Sequence, residues 1–151
     1  MRFYLLFPLA VAAFLPMVAT AADNCEVSIS AGDAFAYSTR SIDVPLSCEQ
    51  FTVNFEHTGS LPKGGMGHNW LMTETSDMQA VVTAGAAAGL DNDFHPADES
   101  LVIAGTPLLA GGEKASVTFE TSQLSADKSY SFFCSFPGHS FMMRGSVNLI
   151  K

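Results

Sequence analysis

Ten residues near the C-terminus, Cys134-Ser-Phe-Pro-Gly-His139-Ser-Phe-Met-Met143, gather a thiolate, an imidazole and two thioethers on one short segment. These are soft or borderline ligands, the set that suits copper. One further histidine would complete a trigonal site of two imidazoles and a thiolate with a weak axial methionine, the arrangement used for one-electron transfer. His68, in Gly67-His68-Asn69-Trp70, is the natural partner. Such a site must hold two oxidation states of one ion with little rearrangement, so it demands a rigid frame. Cys134 follows the extended run Tyr130-Ser-Phe-Phe133, and Pro137-Gly138 then turns the chain so that His139 can face the same point. Met142 or Met143 reaches the axial position; neighbours in an extended chain face opposite ways, so only one can ligate, and periodicity does not choose.

The frame itself reads as mostly β. Phe51 to Phe55, Ala115 to Phe119 and Gly145 to Leu149 alternate apolar and polar residues, as does Glu26 to Ser30. Ser41 to Leu46, Asn69 to Thr73, Leu101 to Ala104 and Ser129 to Phe133 are further extended segments, separated by turn signals at Gly59-Ser60, Lys63-Gly64-Gly65 and Gly111-Gly112. About seven or eight short strands at this spacing predict an all-β Greek-key sandwich. One helix is expected over residues 76–88, with Ser76 as N-cap and Asp77 in the first turn, although Gly85 weakens it. Residues 91–99 read as a polar surface loop.

At 151 residues the chain is one domain's worth, after a leader is set aside. Met1-Arg2 precedes a nearly unbroken apolar run from Phe3 to Val18, and Ala19-Thr20-Ala21 is a small-x-small cleavage pattern. We read residues 1–21 as a removable export signal, with cleavage after Ala21 or one residue later, and residues 22–151 as a single domain. The rival reading, a membrane anchor, fits poorly with a short run broken by Pro8 and Pro16. Without Arg2, six basic residues face fifteen acidic ones, a net charge of −9. Such a surface repels phosphate backbones, which argues against a nucleic-acid partner.

Three cysteines in an exported chain allow one disulfide and leave one thiol. Pairing Cys25 with Cys48 would pin the N-terminal strand and close a loop of about 24 residues, worth roughly 3 kcal/mol on the chain-entropy estimate. The other two pairings would consume Cys134, whose His and Met neighbours give a thiol there a better reason to exist.

Phe132-Phe-Cys-Ser-Phe-Pro-Gly-His139, the spacing to Met143, and Met66-Gly67-His68-Asn69-Trp70 closely resemble the azurins, bacterial periplasmic proteins of the cupredoxin family. Leu61-Pro-Lys63, Asp77-Met78-Gln79, Gly112-Glu113-Lys114 and Ser116 to Phe119 extend the likeness over the mature chain. The resemblance implies a cupredoxin fold, a Cys25–Cys48 disulfide, and one type 1 copper held by His68, Cys134 and His139. It further implies Met143 as weak axial ligand and the Gly67 backbone oxygen opposite. Asn69 would tie the two ligand loops and donate towards the sulfur, and the Phe136 amide would donate to it as well. Met66, Pro137 and Phe141 would belong to a docking patch around the His139 edge. Implied partners are redox proteins such as c-type cytochromes, nitrite reductase or amine dehydrogenases, met by a monomer in the periplasm. His57 matches a buried histidine that does not ligate; His95 is expected to be exposed; Trp70 is expected in the core. Gly64-Gly65 and Phe141 depart from the family, as does Gly105, where some members carry a surface histidine.

Three classes of function compete. A one-electron carrier needs a single rigid copper. A multicopper oxidase or copper nitrite reductase needs further histidine-rich centres, whereas this chain has four histidines, two of them already assigned. A copper-storage protein would present several labile methionines. Zinc could fill the same ligands as a redox-inert substitute.

Overall fold

A computed structural model describes residues 24–151; the segment read as an export signal lies outside them. Eight strands form two sheets: β1 (Glu26–Ala31), β2 (Ser41–Pro45), β3 (Gln50–His57), β4 (Leu71–Glu74), β5 (Ala104–Gly105), β6 (Lys114–Glu120), β7 (Tyr130–Phe133) and β8 (Arg144–Ile150). One sheet has the order β1-β3-β6 and the other β2-β8-β7-β4-β5. The β1/β3 and β2/β8 pairs are parallel, and the remaining pairs are antiparallel. This is the sandwich expected from the alternating runs.

The core sits between the sheets. On β3 the residues Phe51, Val53, Phe55 and His57 are all buried while those between them are not, the period of two that places every second side chain on the inner face. Tyr37, Trp70, Met72, Phe132 and Val147 fill the space opposite, with Trp70 stacked on Phe132 at 5.8 Å between ring centroids. β4 does not alternate: Leu71, Met72 and Thr73 are all buried. Its outer face is covered, because Leu71 and Phe133 pack against Val81, Met78 and Val82.

Those last three residues belong to the inserted helix, α2, which runs Met78–Ala88. It begins two residues later than expected. Ser76 makes no cap, and Asp77 occupies the N-cap position without a side-chain cap bond. Gly85, which weakens the helix by propensity, is required by packing: a Cβ there would lie 2.1 Å from the Phe94 carbonyl oxygen. Three further local features differ from those expected. Lys63–Met66, read as a turn, makes one short helix, α1. Leu101 to Ile103 is not strand, because only Ala104 and Gly105 pair with β4. His95 is not merely exposed: its Nδ1 meets Glu99 Oε1 at 3.0 Å and its Nε2 donates to the Thr106 carbonyl at 2.9 Å. Gly105 leaves room for the half-buried ring, since a Cβ there would come within 2.9 Å of it.

Cys25 and Cys48 are joined in a disulfide, which ties the start of β1 to the loop entering β3. Cys134 is the free cysteine, fully buried at the end of β7.

Candidate metal centre

Three segments converge at one end of the sandwich. His68 leaves α1 and is fixed by paired backbone bonds with Leu109, its N–H donating to the Leu109 carbonyl at 3.1 Å and its carbonyl accepting the Leu109 N–H at 2.8 Å. Cys134 is anchored by donating its own N–H to the Met143 carbonyl at 3.0 Å, so the loop closes on itself. Between them Gly138 adopts a φ of 83°, a left-handed conformation that glycine takes without strain, and starts the single helical turn His139–Phe141. The Met143 N–H then returns to the His139 carbonyl at 2.8 Å.

His68 Nδ1, His139 Nδ1 and Cys134 Sγ form a buried triangle with sides of 3.2, 3.6 and 4.0 Å. Imidazole and thiolate bonds to a borderline divalent metal are about 2.0 and 2.3 Å, and three such donors at 120° stand roughly 3.5–3.8 Å apart. The triangle therefore has the size of a metal ion's coordination plane. The donors present fit copper, and no other cluster of three metal-binding side chains of this kind occurs among the described residues.

The surroundings set which atoms face inward. His68 Nε2–H donates to the Gly32 carbonyl at 2.9 Å, which leaves its Nδ1 lone pair for the centre. His57 stacks on the His68 ring at 4.6 Å and bonds the Met66 carbonyl through Nε2 at 2.8 Å, so it is a support rather than a ligand. Asn69 accepts the Ser135 N–H at 2.9 Å and donates to Ser135 Oγ at 2.8 Å and to the Asp93 carbonyl at 2.9 Å. Backbone amides of Asn69 and Phe136 both bond the Cys134 sulfur. The donation towards sulfur thus comes from the Asn69 backbone, while its side chain joins the loops.

Burial governs the acid–base state of the metal-free site. The Cys134 thiol is pushed up to about 12 by desolvation, against the pull of the two amides. Desolvation, with His68 adding a smaller push, takes His139 down to about 4. His68 is lowered for the same chief reason. The imidazoles are thus neutral ligands at neutral pH, and the thiol ionises only with a cation beside it.

The structure separates the two methionines that spacing left open: Met143 is fully buried and Met142 is exposed. Gly67 is buried immediately before His68. Around the centre, Phe141 is 83% exposed and Phe35 47%, with Met142 and Pro137 exposed as well, while Met66 and Phe136 are half-buried. His139 itself is 3% exposed. Phe136 stacks on its ring at 4.4 Å and Phe35 meets it edge-on at 4.7 Å. A shallow groove lined by Phe35, Gly65, Phe136, Pro137, Gly138, His139 and Met142 opens above it. Sequence reading missed Phe35 and Gly32, which lie over thirty residues from His68 and carry no signal in spacing. It also gave Ser135 no role; the pairing of a polar residue after each ligand was the available hint.

Comparison with known proteins agrees with this geometry. The model of the copper binding proteins, plastocyanin/azurin family, matches residues 23–150. An azurin of Methylobacillus flagellatus is 55% identical over 150 residues, covering 99% of each chain. Azurin iso-2 of Methylomonas sp. strain J is 53% identical over 126 residues, 83% of this chain and 98% of that one. The Pseudomonas aeruginosa azurin is 51% identical over 128 residues, covering 85% of this chain and 86% of that one. A solved structure of the Methylomonas iso-2 azurin superposes with a TM-score of 0.82 at 52% identity, covering 85% of this chain and all of that one.

Proposed function

The chain belongs to the plastocyanin/azurin family of copper-binding proteins, and we propose that His68, Cys134 and His139 would hold its one copper, with Met143 and the Gly67 carbonyl as weaker donors. The protein is a blue-copper electron carrier and not an enzyme. The observation that supports the ligand assignment is the buried triangle of Nδ1, Nδ1 and Sγ, which has the dimensions of a metal's coordination plane. Copper supplies the one-electron couple between Cu(I) and Cu(II). The protein's part is to keep the donors still. The bond from His68 to Gly32 fixes one imidazole, stacking on Phe136 and the Phe35 contact hold the other, and Asn69 locks the two loops together. A rigid frame keeps the reorganisation between oxidation states small.

Electrons enter and leave through the His139 edge, beneath an apolar face formed by Met66, Pro137 and Phe141 together with Phe35 and Met142. Exposed apolar patches of this kind suit transient docking. The partners are redox proteins that present a matching apolar face around their own centre; c-type cytochromes, nitrite reductase and amine dehydrogenases are the classes to assay. The chain works as a monomer in the periplasm, a placement supported by its N-terminal leader pattern and its disulfide.

Addition of Cu(II) to the metal-free protein tests the ligand assignment. An intense blue colour lost reversibly on reduction is expected, and Cys134→Ser should abolish it with the circular dichroism unchanged. A Cys134→Ser protein that turns equally blue would show that the ligands are wrong.

A further inference from the structure

The charged groups of the described chain divide unevenly. Lys63, Lys114 and Lys128 are each paired with a carboxylate, of Asp93, Glu56 and Glu74 respectively. The two arginines, Arg40 and Arg144, take part in no ion pair among the described residues, although the chain is strongly acidic. Both line the same open groove on the side of the five-stranded sheet. Their proximity is built into the backbone: Ser146 N–H donates to the Arg40 carbonyl at 3.0 Å, where β8 passes the segment entering β2.

Much of the rest of the groove is polar. It is lined by Ser76, Gln79, Ser131 and Ser146, and no acidic residue lines it. It reaches the start of α2, whose N-cap residue Asp77 makes no side-chain cap bond. Asp77, the neighbouring carboxylate, stands by the Ser76 hydroxyl at 3.5 Å and is not part of the lining. The two guanidinium forks alone offer more donors than the two oxygens of a carboxylate can use, while the Ser76, Gln79 and Ser131 side chains are already bonded to Asp77, Thr83 and Thr75. A tetrahedral oxyanion with several acceptor oxygens can engage both forks together.

We propose that the Arg40–Arg144 groove binds a multivalent oxyanion of the phosphate type, either free or as the terminal group of a larger molecule. The acidity of the remaining surface confines such an anion to this spot. Arg144 directly follows Met143, so an occupant lies one residue along the chain from the copper centre.

The test follows backbone amide shifts of the full folded chain in its diamagnetic Cu(I) form. Inorganic phosphate and a small phosphomonoester are titrated separately, with chloride at matched ionic strength as the control. Saturable shifts over residues 75–79 and 144–146 are expected, with affinity lowered at least about tenfold in the Arg40→Gln, Arg144→Gln double variant. Saturation by both anions supports a site for the shared group, and saturation by one alone supports the proposal and identifies the source. Shifts that never saturate, that chloride reproduces, or that persist unchanged in the double variant would overturn it.

Discussion

Asn69 and Ser135 are bonded to each other twice, the Asn69 Oδ1 accepting the Ser135 N–H at 2.9 Å and the Asn69 Nδ2 donating to Ser135 Oγ at 2.8 Å. Each residue directly follows a proposed copper ligand, His68 or Cys134. The pair therefore couples two loops that are otherwise 66 residues apart in the chain. Asn69→Leu keeps the volume and leaves the buried Ser135 N–H without a partner. A loss of about 1–3 kcal/mol in urea-denaturation stability is expected, together with a copper affinity lower by about 10–100-fold. Unchanged affinity in a folded variant would show that this pair does not position the ligands.

The acid–base state of the metal-free site predicts how copper competes with protons. At pH 7 both imidazoles are neutral and only the Cys134 thiol, at about 12, must lose a proton. Copper binding should therefore release one proton, and the apparent affinity should rise about tenfold per pH unit through the neutral range. Calorimetry in buffers of different ionisation heat counts that proton. A release near zero would mean that the sulfur does not ligate.

The same groups set the stability of the metal-free protein. The thiol is raised from 9.0 to about 12, so its contribution is complete below pH 9.0 and is lost as pH climbs towards 12. His139 is lowered from 6.5 to about 4, so its contribution is complete above 6.5 and is lost as pH falls towards 4. Metal-free stability should peak between these limits, and copper should flatten the profile. Denaturation midpoints across pH, with and without copper, measure both effects.

Phe141 is the most exposed large apolar side chain of the described protein and stands beside the His139 groove. Phe141→Asp should leave the fold and the blue colour intact. Two copies could then no longer bring their apolar faces together without burying a charge. Electron self-exchange between oxidised and reduced protein, read from NMR line widths, should slow at least about tenfold by that cost. An unchanged rate would place the docking face elsewhere.

The Cys25–Cys48 bridge ties β1 to the loop entering β3, at residues that make none of the copper-site contacts. Replacing both by alanine should cost roughly 3 kcal/mol and leave the copper spectrum unchanged. Altered colour would show that the bridge also shapes the centre.

Much of this protein could be read from its residues because the relevant signals are local. Cys134, His139 and Met143 share one loop, and β3 alternates because one of its faces is buried and the other is not. Where both faces are covered the pattern vanishes: the first three residues of β4 are all buried, with α2 packed on one side, and its start lies two residues later than expected. Long-range contacts left no trace in spacing. Gly32 and Phe35 act on His68 and His139 only through the fold, and His95 is drawn in by the Thr106 carbonyl and the room at Gly105. Ser76 resembles a cap, yet the first helical residue is Met78 and Asp77 takes the N-cap position.

Copper-edge X-ray absorption of the Cu(I) and Cu(II) proteins addresses the ligand set most directly. One sulfur at about 2.3 Å and two imidazole nitrogens at about 2.0 Å are expected, with little change between oxidation states. A copper shell without a short sulfur, or one that rearranges on reduction, would contradict the assignment of Cys134, His68 and His139.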